Sequence, residues 1–232
     1  MTYTKQYPDL QESQIVQLEK TGFNGYYLSF VGGYPNPTGK EVAYAGVPYA
    51  FKIFSMIEAH KLGFDNVLWL DAALFPKRDI TPIFDEIEKT GFTAHHKAVD
   101  MEEIHQLPPK TRALLQELTS VDVLDSQRGH RIFGGVIGLK MSDPLTKLFI
   151  KQYYEFVEMG TPFISGLPEE FVFSAILGQP QYAEWMRSSY TFENHFPARF
   201  FSSPPGDTLG CGYFFDWRKH AWADLVNCKR VK

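Results

Sequence analysis

The feature that most constrains this chain is a repeated switch of hydrophobic period. Near-continuous apolar runs alternate with runs spaced at three and four residues. Val67 to Leu70 (VLWL) is a short apolar run of the length of a buried strand. The segment before it, YAFKIFSMIEAHK (49–61), carries Ala50, Ile53, Phe54 and Ile57 at the i, i+3, i+4, i+7 spacing of a helix face, and Gly63 ends it. After it, Thr81 and Pro82 open a second helix, PIFDEIEKTG, with Pro in the first turn and Gly91 as its stop. FTAHHKAV then reads as a strand. This alternation predicts an α/β fold with a mostly parallel central sheet flanked by helices. The right-handed crossover rule places helix 49–61 on one face of that sheet.

The remaining segments extend the pattern. MTYT has the look of a strand end, and DLQESQIVQLEKTG predicts a helix capped by Asp9, with Glu12 three residues on and Gly22 as stop. YYLSFVGG (26–33) predicts a strand that breaks at Gly32 and Gly33, and a Pro- and Gly-rich loop follows over 34–48. LPPKTRALLQEL places one helix in an otherwise polar middle stretch. RIFGGVIGLKM (131–141) predicts a strand interrupted by Gly134, Gly135 and Gly138. Asp143 and Pro144 start a helix whose apolar face is Leu145, Leu148, Phe149, Tyr153 and Phe156. GLPEEFVFSAILG (166–178) predicts another, with Pro168, Glu169 and Glu170 in its first turn. From about Pro180 the chain is aromatic and Pro/Gly-rich with weak periodicity. With 232 residues, no internal repeat and no linker, residues 1–232 read as a single domain.

Composition narrows the function classes. A net charge of -4 without a basic block argues against nucleic-acid binding as the main task. Cys211 and Cys228 have neither metal-ligand spacing nor a catalytic-cysteine context, so a reducing, cytoplasmic location is expected. MTYTKQYPDL lacks the apolar core of a signal peptide, and no run is long enough to predict a membrane span. The aromatic fraction of 16% fits a Phe-rich core first, and a ring-lined cleft for a base or sugar second.

Chemistry-bearing residues gather at element ends. Asp71 follows VLWL directly, at the strand end where open parallel sheets bind ligands. A turn cap, or a pair with Lys77 or Arg78, is the structural alternative. Gly134 and Gly135 inside an apolar strand mark either a bulge or the close approach of a ligand. Glu169 and Glu170 either answer the helix dipole or supply a general base. His95 and His96 are adjacent, so a strand sends them to opposite faces and they are poor joint ligands. No Gly-x-Ser-x-Gly elbow, Walker loop or Gly-x-Gly-x-x-Gly is present, and DLQESQ lacks the phosphate loop a nucleotidyltransferase needs.

The stretch PYAFKIFSMIEAHKLGFDNVLWLDAALFPKRDITPIFDEI resembles nucleotide-sugar glycosyltransferases of the GT-A type, in which a helix precedes a hydrophobic strand ending in Asp-X-Asp. RIFGGVIGLKM resembles that family's acceptor-side strand, and GLPEEFVFSAI its acidic helix start, so the resemblance covers about residues 1 to 180. It implies a Rossmann-type GT-A fold with a nucleotide-sugar half over about 1–100 and an acceptor half over about 101–232. It implies transfer of a sugar from a nucleotide-sugar donor to a hydroxyl of a glycan or other acceptor. Asp71, Ala72 and Ala73 then stand where Asp-X-Asp holds the diphosphate and a Mn²⁺ or Mg²⁺ ion, with Asp71 as the metal contact. The last position, Ala73, departs from the family, because a methyl group cannot ligate a hard cation. Lys52, Lys77 or Arg78 is the alternative counter-charge; for Lys52 a solvated helix face is the plain structural alternative. The resemblance also implies base and ribose at Tyr3 and Thr4, closed in by Phe30, Gly32 and Gly33. It implies sugar or acceptor over Gly134 and Gly135, and Glu169 or Glu170 as catalytic base. His195 stands in the region where some members place a metal-binding histidine. A GT-A-shaped protein that binds a nucleotide sugar or glycan without turnover is the alternative.

Overall fold

The longest strand, β4 (Arg131–Lys140), lies between β1 (Asn66–Leu70) and β3 (Phe92–Lys97) and pairs with both, giving the order β1-β4-β3. The computed structural model describes residues 6–30, 47, 49–97, 105–125, 131–194 and 214–216. Within them, β2 (Leu74–Pro76) and β5 (Phe214–Asp216) form a separate two-stranded pair. The helices are α1 (Gln6–Thr21), α2 (Phe51–Lys61), α3 (Thr81–Thr90), α4 (Pro109–Thr119), α5 (Pro144–Met159), α6 (Pro168–Leu177) and α7 (Ala183–Asn194). Tyr3, Thr4, Gly32, Gly33, His195, Cys211 and Cys228 lie outside the described residues, as does most of the loop expected over 34–48.

The expected mostly parallel sheet is corrected here: every strand pairing among the described residues is antiparallel. Both β1 and β3 run opposite to β4, so they run in the same direction as each other with β4 inserted between them. The β1–α3–β3 segment thus keeps the direction its sequence pattern predicts. What the pattern cannot show is that a strand from later in the chain fills the gap. Three local expectations also change. Tyr26 to Phe30 form no regular strand, and α1 begins at Gln6, so Asp9 sits in its first turn and is not its cap. The aromatic tail was expected to lack a clear element, yet α7 forms there.

Two helix ends follow their residues closely. Asp143 caps α5, its Oδ1 accepting from the Leu145 N–H at 2.7 Å. Gly91 ends α3 in the left-handed region at φ 87°, its N–H donating to Ile87 O at 2.8 Å.

The sheet is covered on both faces. Val67 and Trp69 face the larger core, built from α2, α4, α5 and α6. Leu68 and Leu70 face a smaller core with Leu18 of α1 and Ile83 and Ile87 of α3. On β4, Ile137 and Leu139 point to the larger core and Val136 to the smaller. Beyond the glycines the parity inverts: Ile132 faces the larger core and Phe133 the smaller. The cause is a bulge. On the β3 side, Ala94 pairs with Ile137 but His95 pairs with Phe133, which leaves Gly134, Gly135 and Val136 out of that ladder. The outer edge of β3 is covered by α7, one turn of which acts as a false strand. Ser189 Oγ accepts from Ala94 N–H at 2.8 Å, and Glu193 Oε2 accepts from His96 N–H at 2.7 Å.

Gly138 lets α3 approach β4, since a Cβ there would lie 2.4 Å from Ile87 Cδ1 and 2.8 Å from Thr93 Cγ2, both in fully buried side chains. Gly138→Ala is therefore expected to destabilise the fold by roughly 1–3 kcal/mol through overpacking. Urea unfolding checks this, and an unchanged midpoint would show that the contact yields.

Candidate functional site

The chain turns sharply where β1 ends. Asp71 N–H donates to Gly135 O at 3.0 Å, and Leu74 N–H donates back to Asp71 O at 2.9 Å. Gln14 of α1 locks this turn, its Nε2 donating to Leu74 O at 2.6 Å and Asp71 O at 3.1 Å, while Tyr27 OH donates to Gln14 Oε1 at 2.7 Å. Ala73, where a second acid is absent, is buried in the turn, and Ala72 is half-buried. The backbone of Asp71 is thus fixed by α1 and by the β4 bulge, and its side chain points toward α2.

Lys52 of α2 meets it there. The ammonium lies 3.0 Å from Asp71 Oδ1 and 2.8 Å from Glu169 Oε1, and donates to Gly134 O at 2.8 Å. Trp69, on the same face of β1 as Asp71, donates its Nε1–H to Asp71 Oδ1 at 2.9 Å. The rings of Tyr49 and Trp69 stand 5.3 and 5.9 Å from the ammonium. Lys52 is 3% exposed, so the solvated helix face expected of a surface lysine is not what it occupies. Burial pushes its pKa down, but the Asp71 and then the Glu169 carboxylates reverse this and hold it above the ordinary lysine value.

Glu170 belongs to a neighbouring pair. Its Oε2 lies 3.0 Å from Arg131 Nη2 and 4.0 Å from Lys97 Nζ, and its Oε1 accepts from Gly134 N–H at 3.4 Å. Arg131 is fully buried, with its guanidinium 4.9 Å from the Phe171 ring centre. Burial raises the Glu170 pKa, and the charges of Arg131 and Lys97 oppose that shift without cancelling it. Tyr153 is fully buried, and its hydroxyl makes no hydrogen bond among the described residues. Burial and then the Glu169 charge push the Tyr153 pKa well above its ordinary value.

Gly134 is the point at which both groups meet. Its carbonyl takes Lys52, its N–H serves Glu170, and a Cβ on it would lie 2.6 Å from Glu169 Oε1. The glycine expected to admit either a bulge or a ligand thus makes the bulge and admits a glutamate. Gly135 is also in the bulge, where a Cβ would meet the Phe133 ring at 2.4 Å. Asp71, Lys52, Gly134, Gly135, Glu169 and Glu170, all named from sequence, come together at the C-terminal end of β1. Arg131, Lys97, Trp69 and Tyr153 were not singled out. A charged residue opening a strand as apolar as IFGGVIGL was the one available signal for Arg131.

The residues present do not fit a divalent cation at Asp71. Asp71 Oδ1 already faces two donors, Ala73 supplies no oxygen, and no group of three His, Cys, Asp or Glu suited to a metal occurs among the described residues. His95 and His96 both serve the α7 contact, His95 with Glu193 and His96 through Nε2 with Ser189 Oγ at 3.0 Å. Lys77 and Arg78 are half-buried beyond β2. A cavity of ≈ 390 Å³ opens beside β1, walled by Phe23, Tyr26, Tyr27, Phe64, Trp69 and Phe84. Trp69 belongs to both features: it is one of the residues lining the cavity, and its N–H holds Asp71. Among the described residues most of the other phenylalanines are buried, Phe54, Phe92, Phe149, Phe171 and Phe173 among them.

No family model matches the sequence, and no curated protein matches it. Among solved structures the chain is similar to mouse xyloside xylosyltransferase 1 in its apo form, at 13% identity and a TM-score of 0.37. That alignment covers 76% of this chain, which spans 59% of the other. Likeness at that level carries no argument about fold or activity. No helix among the described residues is long and apolar enough to cross a membrane.

Glu170 makes stability depend on pH with a definite sign. Its folded-state pKa is raised, so the stability it contributes is fully present below the unfolded value of 4.5 and is lost as pH rises through the folded value. Wild type should therefore lose stability relative to Glu170→Gln as pH rises from the acid side toward neutrality. Urea unfolding of both proteins across that range is the check, and a pH-independent difference would contradict it.

Proposed function

We propose that the chain is a glycosyltransferase that binds a nucleotide-sugar donor at the C-terminal end of β1 and passes the sugar to an acceptor hydroxyl. The observation that carries this is the pairing of Asp71 and Glu169, nearly a hundred residues apart in sequence, on one buried ammonium. They stand beside a ring-lined cavity that shares Trp69 with them. Aromatic walls suit the faces of a base or a sugar, and fixed carboxylates accept from hydroxyls. The resemblance of the VLWLDAA, RIFGGVIG and LPEEF segments to the GT-A type supports the same reading.

In this reading Asp71 contacts the donor, and Glu169, which shares Lys52 with it, is the candidate base. The acceptor oxygen attacks the anomeric carbon, and the bond from that carbon to the diphosphate oxygen breaks. The nucleoside diphosphate leaves, and the acceptor's proton passes to the carboxylate. Glu170 is the other candidate, and its raised proton affinity suits a base. Donor contacts for Tyr3, Thr4, Ala72 and Ala73 belong to the same proposal, whereas Gly134 serves it by admitting Glu169.

A second reading has its own observation. Two fixed carboxylates stand at one ammonium, an arrangement of acceptors that suits a hydroxyl-rich glycan. On that reading the protein binds glycans without turnover. Thermal melts separate the two. UDP- or GDP-sugars should raise the melting temperature of wild type by several degrees at saturation, and Asp71→Asn should abolish the shift. Donor hydrolysis should fall by roughly 100-fold or more in whichever of Glu169→Gln and Glu170→Gln removes the base. If no nucleotide sugar shifts the melt, transferase activity is refuted; a shift with glycans alone establishes the second reading.

A further inference from the structure

Three oxygens from three separate elements converge on Lys52 Nζ: Gly134 O and Glu169 Oε1 at 2.8 Å, and Asp71 Oδ1 at 3.0 Å. An ammonium has three N–H donors, so these acceptors match it in number. Two carboxylates and a carbonyl are also a donor set that hard divalent cations take. The cradle therefore has the chemistry of a Mg²⁺ or Mn²⁺ site, with the chain's own cation at its centre. Three features hold that cation there. The stem of Lys52 comes from a buried face of α2. The Tyr49 and Trp69 rings lie beside the ammonium. Gly134, by lacking a Cβ, lets Glu169 close the third side. Ala73 is buried and supplies no further oxygen that could draw a metal in beside the lysine.

We infer that Lys52 is a built-in replacement for a divalent metal: it fills the oxygen cradle of Asp71, Glu169 and Gly134, excludes Mn²⁺ and Mg²⁺, and makes ligand binding there metal-independent. The last clause rests on the nucleotide-sugar reading; the exclusion of metal from the cradle does not. Evicting the ammonium would strip it of its three acceptors and would require a buried stem to leave its core. A metal supplied from solution has to overcome both. Removing the side chain has the opposite effect, leaving three oxygens around a space open to an ion and its waters.

The test uses the full chain and Mn²⁺ alone. Bound Mn²⁺ is read from loss of the free-ion paramagnetic resonance signal, and from thermal melts with and without a chelator. Wild type should bind no Mn²⁺ at this site and melt identically in both conditions. Lys52→Ala should gain binding, with a rise of roughly 5 °C at a hundredfold excess over its Kd. The double variant Lys52→Ala/Asp71→Asn should lose that gain. Mn²⁺ binding by wild type that disappears in Asp71→Asn overturns the inference, as does a folded Lys52→Ala that binds none. Should Lys52→Ala not fold, the comparison of wild type with Asp71→Asn decides alone. A parallel melt with UDP- or GDP-sugars tests the clause on ligands. A shift equal with Mn²⁺ and with chelator supports it, and one that requires Mn²⁺ overturns it. A complete lack of nucleotide-sugar binding defeats the transferase proposal while the metal measurement still decides the cradle.

Discussion

A charge taken out of water sets the terms for the rest of this structure. The Lys52 ammonium is buried and must be matched by acceptors brought from elsewhere in the chain. Asp71 comes from the end of β1, Gly134 from the middle of β4 and Glu169 from the first turn of α6. An ion pair this deep need not add net stability, since desolvation offsets much of its attraction. Its effect is to specify geometry: leaving either carboxylate or the ammonium unmatched in the interior would cost about 3–5 kcal/mol. Few arrangements of α2, β1, β4 and α6 satisfy all three partners at once.

The β4 bulge makes that arrangement possible. A regular strand would keep the alternation of Ile137 and Leu139 through to Arg131. Instead the Gly134–Val136 segment, which β3 leaves unpaired, inverts it, so Ile132 and Ile137 share a face although they are five residues apart. The inversion frees the Gly134 carbonyl for Lys52 and its N–H for Glu170, while the missing side chain admits Glu169. Glycine is needed here for space, since a Cβ would meet the Glu169 carboxylate. The same few atoms settle strand register, helix placement and the chemistry of the cluster.

Much of this was legible in the sequence, and the parts that were not share a cause. Helices α2 to α6 announce themselves by local means: apolar spacing, Asp143 as a cap, Pro82 and Pro168 in first turns, Gly91 as a stop. Asp71 and the glycines stood out because each breaks the expectation of its own element, and Glu169 and Glu170 because the resemblance marks that acidic helix start. Arg131 and Tyr153 did not, because a charged strand residue or a helix-face tyrosine is unusual only once its burial is known. Helix α7 was hidden because it spends its polar residues on a strand edge. Ser189 and Glu193 answer the N–H groups of Ala94 and His96, so the segment lacks a simple apolar stripe. The loss of the parallel sheet has the same origin, since the position of β4 is a contact between distant segments.

The sequence alone determined where β1, β3, β4 and most helices lie, that the fold is mixed α/β, and that an acid with no second acid two residues on stands at the end of β1. Those are consequences of local sterics and of hydrophobic period, which act over a few residues. Only the tertiary structure decided that β4 runs between β1 and β3, and that Gly134 opens a bulge. It alone decided that Lys52, in the sequence either a solvated helix lysine or a phosphate counter-charge, is the cation between Asp71 and Glu169. Burial and electrostatic pairing are properties of groups far apart in the chain, and no window of residues contains them.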